Sequence, residues 1–222
     1  MPIDTRIILA GGGDTEDSRP LDELFAAWTG PGGRMLFLPV ALDGSKHDSY
    51  LETIRSEFTP LGVSKIEMWT DLLEHDAKEL AAFDSIYLGG GSTFRLLARL
   101  RDSGFDKALV SLAQQGGAIY GCSAGADVLG RDIMTCAHVD SNDVGLAETH
   151  GLDLAAGHAV WTHYQPDADA LVVEYVQEWG IPVVAIPERA GVVAHGDWLE
   201  PLGFDTVYVF DENGKQELQI PV

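Results

Sequence analysis

Cations are scarce in this sequence of 222 residues. Lys and Arg together number 14 against 35 Asp plus Glu, which gives a formal net charge of −21 at pH 7. A surface of that sign repels nucleic-acid phosphates and anionic lipid headgroups. The composition therefore argues against nucleic acid and against an anionic membrane as partners.

Long hydrophobic runs and cysteines are scarce as well. No apolar run approaches the roughly 20 residues of a membrane span, and the first ten residues lack the basic and apolar regions of a signal peptide. The two cysteines, Cys122 and Cys136, form neither a CxxC pair nor a disulfide framework. We expect a cytoplasmic protein without a membrane segment.

The apolar residues alternate between two periodicities along the chain. Short β-rich runs predict strands, and helix-spaced apolar stripes lie between them. This alternation predicts an α/β fold with a doubly wound, mostly parallel sheet. Because no Pro-, Gly- or Ser-rich linker interrupts it, we expect residues 1–222 to form a single domain. The predicted strands are Ile7–Ala10 within the N-terminal segment 1–10, Met35–Val40, Ile66–Trp69, Ser85–Leu88, Ala118–Gly121 and Val183–Ile186.

The C-terminal part of the sequence has a different pattern. Two turn sequences, Gly196-Asp197 and the segment 211–214, each separate two short β-rich runs and predict hairpins. We expect these antiparallel strands to extend the edge of the sheet. The paired runs are Gly191–His195 with Trp198–Leu202, and Thr206–Phe210 with Gln216–Ile220.

The strongest chemical signal is the segment Gly121-Cys122-Ser123-Ala124-Gly125. It follows a predicted strand and opens a helix-compatible stretch, as a G-x-S-x-G nucleophile elbow does. Glycines on both sides allow a sharp turn that exposes Ser123 beside the first N–H groups of the helix. Ser123 is therefore the predicted nucleophile. Cys122 lies off the centre of the motif, and we interpret it as a packing residue.

Triple glycines follow two other predicted strands, at 11–13 and 89–91. Such loops can hold a phosphate, but neither one carries a Walker lysine or the GxGxxG spacing. The second cluster comes one βα unit before the elbow, so Gly90 and Gly91 are candidate oxyanion-hole donors together with the N–H of Ala124. A non-catalytic nucleotide- or phosphate-binding domain is the alternative hypothesis.

A serine nucleophile requires a base, and the base requires an orienting acid. Among the seven histidines, His163 follows the strand-like run Ala159–Thr162 and is expected at the same sheet edge as Ser123; His158 is its nearest rival. Glu188 ends another strand at that edge. A metal site is a weaker alternative, because its candidate ligands match no compact spacing: His138, Asp140, His150 and His158.

Three segments together resemble the serine peptidase family that contains dipeptidase E (aspartyl dipeptidase) and cyanophycinase. They are LGGGSTF at 88–94, GCSAGA at 121–126 and His163-Tyr164, and the resemblance extends from the first strand to about Ala194. It implies a class I glutamine amidotransferase-like α/β fold and a Ser–His–acid triad without a metal or organic cofactor. The bond hydrolysed would be an amide in a dipeptide or short peptide.

The resemblance also implies roles for particular residues. His163 falls where the family's catalytic histidine lies, and Asp140 matches the position of its triad aspartate, so Asp140 is the preferred acid. Glu188 matches a family carboxylate and is second, and Asp143 is a third candidate. A small peptide is the expected partner, and a homodimer is the one assembly we consider. Hydrolysis of an ester or of a cyanophycin-type isopeptide bond is the alternative activity.

One feature of the sequence departs from the aspartyl-dipeptidase branch. From Asp132 to Glu188, 57 residues contain ten Asp plus Glu and no Lys or Arg. The resemblance implies an arginine in this stretch to pair with the substrate's aspartate. Asp-X specificity is therefore in question unless a distant arginine reaches the site, and a substrate ammonium or guanidinium fits such a stretch better. The candidate arginines are Arg19, Arg95, Arg131 and Arg189.

Overall fold

Residues 5–220, which the computed structural model describes, form eleven strands and six α-helices. The predicted N-terminal strand begins at Arg6, and residues 1–4 lie outside the described part. The strands are β1 (Arg6–Ala10), β2 (Arg34–Leu38), β3 (Lys65–Met68), β4 (Ser85–Leu88), β5 (Ala118–Cys122), β6 (Ala159–Trp161), β7 (Val183–Ala185), β8 (Ala190–His195), β9 (Trp198–Gly203), β10 (Tyr208–Asp211) and β11 (Gly214–Glu217). The helices are α1 (Thr15–Thr29), α2 (His47–Phe58), α3 (Thr93–Ser103), α4 (Phe105–Gln114), α5 (Ala124–Leu129) and α6 (Asp169–Trp179).

The central sheet has seven strands in the order β3-β2-β4-β5-β1-β8-β9. The five strands from β3 to β1 are parallel, and β8 and β9 continue the sheet in antiparallel orientation. This confirms the prediction of α/β structure with a mostly parallel sheet. Strands β4 and β5 are almost wholly buried, as expected for strands covered on both faces.

A second, mixed sheet has the order β11-β10-β7-β6. The sequence predicts Val183–Ile186 as a strand of the main sheet, but β7 pairs in parallel with β6 instead. The reason is that β8 already occupies the free edge of β1. The two predicted hairpins are both present, although β8–β9 extends the central sheet and β10–β11 borders the second one.

Apolar side chains fill both faces of the central sheet. On one face α1 and α2 contribute Phe25 and Phe58, which pack edge-to-face against Tyr87 of β4. On the other face α3, α4 and α5 cover the sheet. Within residues 5–220, no helix is both long enough and apolar enough to cross a membrane.

Candidate active site

The chemically interesting side chains gather where parallel strands end. Ser123 follows β5, the glycines at 89–91 follow β4, and those at 11–13 follow β1. From the second sheet, His163 follows β6 and Glu188 follows β7. In α/β sheets the carboxyl ends of the strands are the usual place for ligands.

Ser123 lies at a sharp strand-to-helix turn between β5 and α5. Its φ of 53° and ψ of −116° are unusual for a residue with a side chain and are typical of the strained turn of a nucleophile elbow. A Cβ on Gly121 would lie 2.6 Å from the Gly125 carbonyl carbon, and one on Gly125 would lie 2.3 Å from the Leu88 carbonyl oxygen. The two glycines of the motif therefore allow the helix to start directly against β4 and β5.

A hydroxyl, an imidazole and a carboxylate lie in one hydrogen-bonded line. The Ser123 Oγ is 2.8 Å from His163 Nε2, and His163 Nδ1 is 3.0 Å from Glu188 Oε1. The His163 and Glu188 side chains are 48% and 52% exposed, so a substrate can reach them. This geometry is suited to removing the serine proton while the carboxylate fixes the ring orientation.

The first triple glycine brings the imidazole close to the elbow. The His163 N–H donates to the Gly11 carbonyl over 2.8 Å, and a Cβ on Gly12 would lie 2.3 Å from His163 Cε1. His163 itself has a φ of 51°. The lack of a side chain at Gly12 thus allows the imidazole of His163 to approach the backbone after β1 closely.

Asp140, the acid preferred from the sequence, does not contact His163. Its Oδ2 accepts a 2.6 Å hydrogen bond from the backbone N–H of Thr93, the first residue of α3. Asp143 is exposed in the following loop. Glu188 instead accepts a hydrogen bond from His163 Nδ1, because the end of β7 lies beside the end of β6 in the parallel pair.

The candidate oxyanion donors surround Ser123. Ala124 is the first residue of α5, so its N–H has no acceptor within the helix. A Cβ on Gly90 would lie 3.3 Å from the Ser123 Cβ, and Gly91 lines the cavity next to Ser123. The Gly90 N–H faces the Tyr50 hydroxyl, which leaves the Gly91 and Ala124 groups better placed for an oxyanion.

Cys122 faces away from this site, in agreement with its interpretation as a packing residue. Its thiol lies between the Tyr50 and Tyr87 hydroxyls, and burial raises the pKa of the thiol to about 11. The thiolate is therefore a negligible species at neutral pH, and nucleophilic chemistry by Cys122 is disfavoured.

A cavity of about 400 Å³ opens beside Ser123. Asp127, which the sequence analysis missed, lies in its wall and is only 4% exposed. The signal was present, because Asp127 is four residues after Ser123 and such residues share a face of a helix. The cavity is lined by Gly91, Ser92, Thr93, Ser123, Asp127, Thr135, Cys136, His138, Val139, Asp140, Thr162 and His163.

The proposed metal ligands are dispersed. His138 Nδ1 bonds the Thr135 carbonyl, His150 lies beside Glu148, and His158 lines a separate cavity of about 660 Å³ next to α6. No cluster of three or more His, Cys, Asp or Glu side chains suited to a metal ion occurs within residues 5–220.

Comparison with known proteins identifies the family to which the chain belongs. The model of peptidase family S51 matches residues 7–201. Peptidase E of Shewanella denitrificans is 28% identical over 221 residues, which cover 92% of this chain and 85% of that protein. Peptidase E of Streptomyces coelicolor is 27% identical over 183 residues, which cover 75% and 70%.

Two solved structures share the fold. A putative peptidase E from Listeria monocytogenes EGD-e superposes with a TM-score of 0.73 at 22% identity, over 90% of this chain and 99% of that one. A peptidase from an acI-B1 Actinobacterium has a TM-score of 0.74 at 17% identity, over 98% and 96%. The resemblance predicted from the three sequence motifs is confirmed. Since the family model covers most of the chain, this protein belongs to peptidase family S51 and is a serine peptidase.

Proposed function

We propose that the protein hydrolyses dipeptides or short peptides with Ser123 as nucleophile, His163 as general base and Glu188 as the orienting acid. The observation that carries the proposal is the continuous pair of hydrogen bonds from Ser123 Oγ through the imidazole to Glu188, of 2.8 and 3.0 Å. We further propose that the whole chain acts as one domain of the glutamine amidotransferase-like type. Pairing of β1 with both β5 and β8 supports a single unit, because it joins early and late parts of the sequence.

The first half of the reaction transfers an acyl group to the enzyme. Ser123 Oγ attacks the carbonyl carbon of the scissile amide while its proton passes to His163 Nε2. The tetrahedral intermediate then collapses, the C–N bond breaks, and the leaving amine takes the proton from His163. Glu188 stabilises the imidazolium that forms between these two steps.

The second half returns the serine. Water attacks the acyl-enzyme carbonyl, gives a proton to His163, and releases the carboxylic acid as the proton returns to Ser123 Oγ. In both halves the negative oxygen accepts hydrogen bonds from the N–H groups of Ala124 and Gly91. One such donor is worth about 2.7–4 kcal/mol in the transition state.

Substitution of the nucleophile tests the proposal. Ser123→Ala is expected to reduce peptide turnover to background and to abolish labelling by a fluorophosphonate probe, because no other group at the elbow can form the acyl-enzyme. Turnover is measured on a dipeptide library, and folding is checked by circular dichroism.

The matched control is Ser56→Ala, which removes an exposed hydroxyl from α2 that donates only to a backbone carbonyl in its own helix. This variant should keep wild-type labelling and turnover. Folded Ser123→Ala protein that still hydrolyses dipeptides would refute the assignment of the nucleophile.

A further inference from the structure

The cavity beside Ser123 carries two carboxyl groups in its wall. Asp127 accepts hydrogen bonds from the hydroxyls of Thr162 and Thr93, at 3.1 and 3.4 Å. Asp140 uses one oxygen for the backbone N–H of Thr93. All of these donors are neutral, so they stabilise the ionised forms of Asp127 and Asp140 without cancelling a negative charge.

Within residues 5–220, the basic side chains that line the cavity are those of His138 and His163. Neither Lys nor Arg lines the cavity in that part of the chain. Arg19 pairs with Glu23, and Arg189 pairs with Asp17 and Asp205. The arginine that would pair with a substrate aspartate is thus missing from the cavity wall as well as from the 132–188 stretch.

A buried hydroxyl in the same cavity is left without a partner. Thr135 is 2% exposed, its Oγ1 makes no hydrogen bond, and the residue lines the cavity with Asp127 and Asp140. Buried polar groups are nearly always paired in native proteins. An unpartnered Oγ1 on a residue of the same cavity wall as Asp127 and Asp140 indicates a place where a ligand with N–H donors completes the hydrogen bonding.

We propose that this cavity binds a cationic group, an ammonium or a guanidinium, of the residue N-terminal to the scissile bond, and that it disfavours an acidic side chain there. The inference rests on the proposed function and specifies its substrate class. In a dipeptide that residue always carries an α-ammonium two bonds from the scissile carbonyl carbon, and it carries a second cation when it is Lys or Arg. An aspartate side chain would instead add a third carboxylate to the cavity.

The protonation of Asp127 is linked to such binding. Burial raises the pKa of Asp127 to about 7, with a smaller contribution from the neighbouring charge of Asp140. A cation in the cavity favours the ionised carboxylate and lowers that pKa. The other titratable groups at the cavity are Cys136, His138 and His163.

A substrate panel on the wild-type enzyme tests the proposal. We compare kcat/KM for Lys-Leu, norleucine-Leu and Asp-Leu, each with a free and with an N-acetylated amine. If the side chain is the bound cation, Lys-Leu should exceed norleucine-Leu by about tenfold or more, and acetylation should preserve that ratio. If the α-ammonium is bound, the two should be turned over alike, and acetylation should lower both by about tenfold. In both cases Asp-Leu should be the poorest substrate.

The variant Asp127→Asn keeps the shape and one of the two acceptor oxygens, and it replaces the carboxyl group by an amide that cannot ionise. The panel gives two ratios of kcat/KM, Lys-Leu over norleucine-Leu and free over acetylated amine. Asp127→Asn should reduce whichever of these ratios is large in the wild type by about tenfold. Asp167→Asn is the matched control, because Asp167 is an exposed carboxylate that does not line the cavity, and it should leave the ratio unchanged. If Asp127→Asn does not fold, the wild-type panel alone decides.

The outcomes separate this inference from the proposed function. An enzyme whose Ser123 is labelled, but that hydrolyses Asp-Leu or acetyl-norleucine-Leu as fast as the cationic substrates, overturns the cation site and leaves the serine mechanism standing. An unchanged ratio in folded Asp127→Asn protein has the same meaning. A wild-type enzyme with no labelling and no turnover of any substrate contradicts the proposed function itself.

Discussion

The two ring nitrogens of His163 contact different partners. Nε2 faces the Ser123 hydroxyl, and Nδ1 faces Glu188. In such an arrangement the carboxylate holds the tautomer that leaves Nε2 free to accept a proton. A side chain that contacts Nε2 can therefore lose a proton to the imidazole, whereas one that contacts Nδ1 fixes the tautomer and orientation of the ring.

Replacing the carboxylate should reveal its role. Glu188→Gln keeps the shape but lets the side chain donate to Nδ1, so the wrong tautomer is favoured and kcat should fall by about 10³-fold or more. Asp140→Asn should change KM more than kcat, since Asp140 caps α3 and lines the cavity. The measurement is steady-state kinetics on one dipeptide at several pH values.

Asp143→Asn is the control for this prediction, because the side chain is exposed in a loop. It should match the wild type. An unchanged kcat in Glu188→Gln would exclude Glu188 as the orienting acid, and Asp140 would then be the next candidate.

The sequence indicated Ser123 and His163 because each follows a strand within a recognisable local motif. The family resemblance put Asp140 ahead of Glu188 as the candidate acid, whereas the carboxylate that contacts His163 depends on which strand ends beside β6. That neighbour is decided by the parallel pairing of β6 with β7 over three residue pairs, and no local pattern encodes such pairing. Gly12 was missed as a contact of the histidine for the same reason.

At the scale of elements, the hairpin β10–β11 supports the residue that follows the histidine. Lys215 on β11 donates to the Tyr164 hydroxyl over 2.6 Å and to both oxygens of Asp169 at 3.0 Å. Its ammonium also lies 4.2 Å from the centre of the Tyr208 ring. One side chain thus joins the hairpin, the start of α6 and the loop after β6.

Removing this cation should weaken the second sheet. Lys215→Met is expected to lower the free energy of unfolding by about 1–2 kcal/mol, from a partly exposed ion pair and cation–π contacts of about 0.5–1 kcal/mol each. Denaturant unfolding gives the value. Lys65→Met on β3, an exposed edge-strand lysine of the central sheet, should change it by no more than about 0.5 kcal/mol.

The alternation of strands and helices along the chain was predictable, because buried parallel strands and amphipathic helices have distinct periodicities. The division into two sheets was not. Val183–Ile186 has the same apolar character as the strands of the central sheet, and its place in the second sheet follows from long-range pairing of β8 with β1.

At the scale of the whole molecule, acidic side chains are also found in the interior of the protein. Asp22 of α1 is 3% exposed, and burial raises its pKa to about 7 despite hydrogen bonds from Ser18 and Tyr120. The unfolded chain releases this proton near its ordinary value of about 3.9. Between about pH 4 and pH 7 the folded state therefore binds more protons, and its stability falls as the pH rises.

Asp22→Asn should remove this pH dependence. The variant is expected to be more stable than the wild type by about 1–4 kcal/mol above pH 7, and the difference should shrink towards pH 4, where the wild-type carboxyl is protonated in both states. Urea unfolding at a series of pH values provides the test. Asp197→Asn, at an exposed turn, should have the same free energy of unfolding as the wild type at every pH. If the stability of Asp22→Asn changed with pH in parallel with that of the wild type, the proposed linkage to Asp22 would be contradicted.

The proposed nucleophile and its proposed base follow strands of different sheets. Ser123 follows β5 of the central sheet, whereas His163 and Glu188 follow strands of the second one. The 2.8 Å distance between Ser123 Oγ and His163 Nε2 therefore depends on the position of the two sheets relative to each other. A change far from the site that slides one sheet by an ångström would break that contact while each sheet stayed intact. The rate of the enzyme thus depends on the relative position of the two sheets, which the structure of either sheet by itself does not determine.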